Sequence, residues 1–107
     1  MIKGVFLQIR SLPFGYSAMA LFPFVLFRGK LPDWLRNHER IHLRQQIEML
    51  IIPFYLWYLT EYLIHYLKFN DRLKAYRAIS FEKEAYSNHD DPDYLQTRKF
   101  WSFIRYL

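Results

Sequence analysis

Asp33-Trp34-Leu35-Arg36-Asn37-His38-Glu39-Arg40-Ile41-His42-Leu43-Arg44-Gln45-Gln46 is the stretch on which the reading of this chain turns. Asp33 is placed to cap a helix that starts at Trp34, and the apolar spacing carries that helix to about residue 52, where Pro53 ends or kinks it. On a helix, residues four apart lie one above the other, so His38 and His42 present two imidazoles on one face. Glu39 stands about 100° around from His38. This is the HExxH arrangement, in which two histidines hold one metal ion and the glutamate reaches a metal-bound water without ligating. Trp34, Leu35, Ile41, Gln45, Met49 and Ile52 fall within about 60° of His38 on the wheel. The histidines are therefore expected to face inward, with Arg36, Arg40 and Arg44 on the side that meets water or lipid headgroups, helped by the Arg44/Glu48 spacing.

Working outward, Val5 to Ile9 and Ala18 to Phe27 are rich in aromatic and β-branched residues and are separated by Leu12-Pro13-Phe14-Gly15. Strands at about 5–9 and 18–27 are predicted, forming a small antiparallel hairpin with Pro23 at an edge or bulge. Arg28 to Pro32 reads as a loop. After Pro53 a second helix runs to about Phe69, with Leu56, Leu59, Leu63 and Leu67 on one side and Trp57, Tyr58, Glu61, His65 and Lys68 on the other. A third helix is expected at about 71–87, and Asp91-Pro92 begins a last one from Asp93 to Tyr106. The fold class is α+β: one domain over residues 1–107, a small hairpin followed by a bundle of about four helices.

Composition narrows the chemistry. A length of 107 residues with 52% hydrophobic content suits one domain with a full core. Cysteine is absent, which removes disulfides, thiolate metal sites and cysteine nucleophiles; a metal here must be held by histidine and carboxylate. The net charge is +5, with Lys3, Arg10, Arg28 and Lys30 ahead of the first acid, Asp33, and an acidic stretch from Glu82 to Asp93. With 21% aromatic residues, this leans toward a partly apolar surface and a membrane-surface partner, nucleic acid being less favoured. Ser11 to Phe27 and Met49 to Thr60 are free of charge, but the first is interrupted by proline and the second is too short to span a bilayer alone. The chain is expected to lack a cleavable signal, to be complete as it stands and to work in the cytoplasm, peripheral to or embedded in the inner membrane.

A catalytic zinc site needs a third protein ligand and an open position for water. Glu48, not histidine, lies six residues beyond His42, so attention moves to Phe81-Glu82-Lys83-Glu84-Ala85-Tyr86. Glu82 shares a helical stripe with Ala75, Ala78 and Ala85, small residues that let helices approach closely; Glu84, on a stripe expected to face water, is the alternative. Together these residues resemble the gluzincin metallopeptidases, in which a Glu from a later helix joins HExxH. The likeness is closest to small bacterial proteins with HExxHxxQQ, here His38, Glu39, His42, Gln45 and Gln46, followed by FExEAY, here Phe81, Glu82, Glu84, Ala85 and Tyr86. The resemblance implies a zincin-like fold, Zn2+ as cofactor held by His38, His42 and Glu82, Glu39 as general base, and a peptide or protein substrate. Tyr86, Tyr76 or His65 would stabilise charge on the intermediate. Two other readings stand beside it: a metal-binding or regulatory module without turnover, and a basic membrane- or nucleic-acid-binding protein in which HExxH is accidental. Glu61 and His65 read as a helix-surface pair or an accessory pair of the metal site, His89 as a capping or solvated residue.

Overall fold

The computed structural model describes residues 4–13 and 16–107. Phe14 and Gly15 of the expected turn lie outside them. The element order is β1 (Val5–Gln8), β2 (Ala18–Leu21), β3 (Phe24–Phe27), α1 (Asp33–Glu48), α2 (Ile52–Phe69), α3 (Arg72–Ala78), α4 (Ser80–Asn88), α5 (Tyr94–Thr97) and a closing 3₁₀ helix (Ser102–Tyr106). The α+β class holds, but the expected second strand is two. Phe22-Pro23 turns the chain between Leu21 and Phe24, so that β2 and β3 form the hairpin, and β1 pairs with β3 in parallel, giving the order β1-β3-β2. The sheet is therefore mixed rather than antiparallel. Proline lacks the N–H a ladder needs, so a turn accommodates Pro23 where a continuous strand would not.

Helix α1 is the axis of the fold. His38, Glu39, Ile41, His42, Leu43, Gln45, Gln46 and Glu48 are all buried, because the sheet covers one side and α4 with the C-terminal segment covers another. Leu43 packs with Ala20 and Val25 beneath Phe6 and Phe22. The arginine side is not open to water as expected: the guanidinium groups of Arg36 and Arg40 lie 4.7 and 5.3 Å from the centre of the Phe6 ring. Gly4, with φ of 78°, lets the start of β1 pass close to α1; a Cβ there would stand 2.5 Å from Leu43 Cδ1.

Leu50 and Ile51 take left-handed backbone angles and bend the chain by 113° between α1 and α2. The predicted third helix is broken at Ile79, whose extended backbone ends α3 and begins α4. Two features hold that break. Ile79 is fully buried beside Met49, Phe54, Phe81 and Phe103. Glu61, reaching across from α2, accepts hydrogen bonds from the Ser80 amide at 2.9 Å and the Ser80 hydroxyl at 2.5 Å. Glu61 thus anchors the start of α4 and is no mere surface partner of His65. The last predicted helix is also shorter, since Arg98 leaves α5 with extended backbone to reach the interior.

Candidate metal centre

The site lies where α1 meets α4. Ala85 and Ile41 are both fully buried at this contact, and the small alanine lets the two helices close up; Ala75 and Ala78 of the expected stripe fall on α3, before the break at Ile79, so Ala85 alone shares a helix with Glu82. Glu82, three residues earlier and 4% exposed, is thereby carried onto the histidine face of α1. Its Oε1 lies 3.2 Å from His38 Nε2 and 3.1 Å from His42 Nε2, and the two Nε2 atoms are 3.2 Å apart. Ligand atoms around a four-coordinate ion with bonds of about 2.0 Å are about 3.3 Å apart, so this triangle has the size of one face of such a site. Glu39 is buried beside it, and His38, Glu39 and His42 offer ligand atoms within 4.8 Å of one another. A group of histidines and carboxylates able to hold a metal ion is therefore present where HExxH foretold it.

The protons support this geometry. Gln45 Nε2 faces two acceptors, the Phe81 carbonyl at 3.1 Å and Glu84 Oε1 at 2.9 Å, so its amide oxygen must face His42 Nδ1, 2.8 Å away. His42 consequently donates from Nδ1 and turns Nε2 to the centre of the triangle. His38 Nδ1 lies 2.9 Å from His89 Nδ1, which leaves His38 Nε2 facing the same centre. Two imidazole nitrogens and a carboxylate oxygen converging at this distance need positive charge among them. In the metal-free protein a shared proton can supply it, and a metal ion could take the same place.

The electrostatics agree. Burial pushes His38 down to about 4, against the hydrogen bond to Glu82 and with help from the charge on His42. Burial also works against the charged form of His42, but the Glu82 carboxylate, by charge and hydrogen bond, outweighs it and lifts His42 to about 9. The Glu82 carboxyl is held below its ordinary range because His42 and His38 overcome the cost of its burial. Burial, with Glu82 nearby, raises Glu39 to about 7, although His42 opposes this.

Several neighbours fix this arrangement, and the sequence named only some of them. Tyr58 donates to Glu82 Oε2 at 2.7 Å. The ring of His89 packs between Trp34 and Tyr86, while Asn37 holds the turn behind it by donating to the carbonyls of His89 and Asp91. Glu84, expected to face water, is instead fully buried: Arg98 binds it through Nε and Nη2, Tyr94 donates at 2.7 Å, and Gln45 completes its shell. It is part of the support beneath His42 rather than a candidate ligand. Arg98 Nη1 also meets Glu48 at 2.6 Å, which takes Glu48 from the pairing with Arg44 that the spacing suggested. Gln46 docks the hairpin, donating to the Ala20 carbonyl and accepting from the Phe22 amide, both at 2.8 Å. His65 lies with Glu61 and outside the cluster, with Nδ1 lacking a partner.

A groove of about 1110 Å³ opens above His38 and Glu39, walled by Tyr55, Tyr58, Tyr76 and Tyr86. An adjoining hollow of about 200 Å³ reaches His42 and Glu82 and is bordered by β2. Tyr76 and Tyr86 meet through their hydroxyls at 3.2 Å, and Tyr86 also packs edge-on to His38. Comparison of the chain with protein-family models, curated proteins and solved structures finds no match.

Proposed function

We propose that this protein is a zinc-dependent hydrolase of peptide bonds, with His38, His42 and Glu82 as the metal ligands and Glu39 as the general base. The convergence of two imidazole nitrogens and Glu82 Oε1, with a buried carboxylate beside them at the floor of a groove, carries this reading. Three neutral-or-anionic ligands of this kind suit zinc, and when bound the ion supplies Lewis-acid polarisation and a water acidic enough to ionise near neutrality. Glu39 can accept that proton and return it to a leaving amine, since burial pushes its carboxyl up to about 7; a cation close by works to lower it. Tyr58 fixes Glu82 by its hydrogen bond. Tyr76 and Tyr86 offer hydroxyls at the groove wall for the developing oxyanion; His65, the third candidate, is set apart.

A peptide substrate is favoured by the position of β2. It is an edge strand of the sheet, and Ala18 to Leu21 line the hollow over His42 and Glu82; Gln46 already takes the Ala20 carbonyl and the Phe22 amide, so extended substrate backbone would pair along the Ala18 end of that edge. The cytoplasmic placement expected from the sequence goes with this proposal. The test is turnover of a quenched-fluorescence peptide library by zinc-loaded wild type and Glu39→Gln. Cleavage by wild type, reduced at least about 100-fold in Glu39→Gln with zinc still bound, is the expected result. Equal cleavage by both would remove Glu39 from its role, and a zinc-bound protein that cleaves nothing would favour the binding-module reading.

A further inference from the structure

Helix α2 is inside out. Its protein side carries Tyr58, Glu61 and His65 beside the one fully buried residue, Phe54. Its outward side carries Ile52, Leu56, Leu59, Leu63, Ile64 and Leu67, each between 51% and 84% exposed, and no charged residue interrupts this stripe over about 23 Å of helix. A helix surrounded by water is patterned the other way. The C-terminal segment extends the apolar surface: Phe103 packs against Trp57 at 5.6 Å, and Phe100, Trp101 and Ile104 around it are exposed.

Charge selects what covers this face. In the last turn of α2 and just beyond it, Lys68, Arg72 and Lys74 are exposed, Arg77 lies over the Tyr86 ring, and the one acid among them, Asp71, spends its carboxylate on the Leu73 and Lys74 amides. Lys99 and Arg105 stand exposed among the C-terminal aromatics. A second copy packed on this face would add a second set of cations to the interface and bring no exposed acid from the same face to offset them. A layer of anionic headgroups answers them, with acyl chains behind it for the leucine stripe. No single helix among the described residues is long and apolar enough to cross a membrane; α1 and α2 meet that measure only together, as a pair bent by 113°.

We propose that the outward face of α2, together with the exposed aromatic residues of the C-terminal segment, seats the protein in the surface of an anionic lipid bilayer. Leu59 belongs both to this seat and to the wall of the groove, so the groove opens at the level of the lipid. The seat stands independently of the hydrolase reading.

The test is flotation of the full-length protein with vesicles of phosphatidylcholine alone and with about one third phosphatidylglycerol. Wild type is expected to float with the anionic vesicles and less with the neutral ones. Leu56→Glu/Leu63→Glu, at exposed positions that leave the fold intact by circular dichroism, is expected to lower partitioning at least about tenfold. Lys68→Glu/Arg72→Glu should lose the preference for phosphatidylglycerol. Wild type that does not float, or a double glutamate variant that floats as well as wild type, overturns the proposal. So does a wild-type dimer in sedimentation that the same variant dissociates while no vesicle binding is seen, which would assign the face to a second copy.

Discussion

Replacing Arg98 by methionine would leave Glu48 and Glu84 facing each other's surroundings with no cation between them. All three side chains are essentially buried, at 0% exposure for Arg98 and Glu84 and 1% for Glu48. Methionine fills most of the volume, so the change is mainly one of charge. Glu84 keeps its hydrogen bonds from Tyr94 and Gln45, and Glu48 keeps the Trp101 amide at 3.0 Å, which softens the effect. Removing one partner of a buried ion pair costs about 3–5 kcal/mol, and here one guanidinium serves two carboxylates. Against a total stability of about 5–15 kcal/mol for a domain of this size, a loss of about 4 kcal/mol is expected, lowering Tm by roughly 20 °C. Urea unfolding followed by tryptophan fluorescence measures it. The triple variant Glu48→Gln/Glu84→Gln/Arg98→Met, with no buried charge left, should recover more than half of the loss. A deficit below about 1 kcal/mol in Arg98→Met would refute the view that this ion cluster is dry and holds the C-terminal segment to α1 and α4.

The proton at the centre of the metal-free site gives a second expectation. His42 is raised from its ordinary value to about 9, so its pairing with Glu82 contributes stability that is complete below about pH 6.5 and is lost as pH rises through 9. Chelator-treated protein should therefore lose resistance to urea over that interval, and zinc affinity, which requires displacing the proton, should climb by up to about tenfold per pH unit until near pH 9; a flat profile for both would show that His42 carries no such proton. His89→Phe keeps the stacking on Trp34 and Tyr86 but removes the nitrogen that faces His38 Nδ1, and zinc affinity should fall by about 10- to 100-fold in competition with a chelator. Gln45→Leu should do the same through His42; unchanged affinity in both variants would dismiss the orienting roles given to these residues.

The sequence carried the centre of the fold further than its edges. HExxH is a local periodic signal that helical geometry alone turns into two imidazoles on one face, and Ala85, one turn from Glu82, marks the face of α4 that meets α1, although the rest of the expected alanine stripe lies on α3. The partners of that cluster come from elsewhere in the chain: Tyr58 from α2, His89 from the turn after α4, Arg98 from the segment after α5. No spacing rule links them to residue 38 or 42. Glu84 misled for the same reason, since a glutamate expected to face water is indistinguishable on a helical wheel from one that will be met by Arg98. The break at Ile79 depends on Glu61 reaching across from another helix, and the mixed order of the sheet depends on β1 pairing in parallel with β3 rather than with the strand that follows it. The exposed leucines of α2 were visible as one side of an amphipathic helix, and only the packing revealed that this side faces out.

The most direct measurement is the zinc content and affinity of purified wild type beside His38→Ala and Glu82→Gln, by elemental analysis and chelator competition. One zinc per chain in the wild type, retained after dialysis and lost in both variants, is the result expected if Glu82 completes the site that His38 and His42 begin. A wild type that stays metal-free after zinc is added, or a Glu82→Gln variant that binds zinc as tightly as wild type, would contradict it.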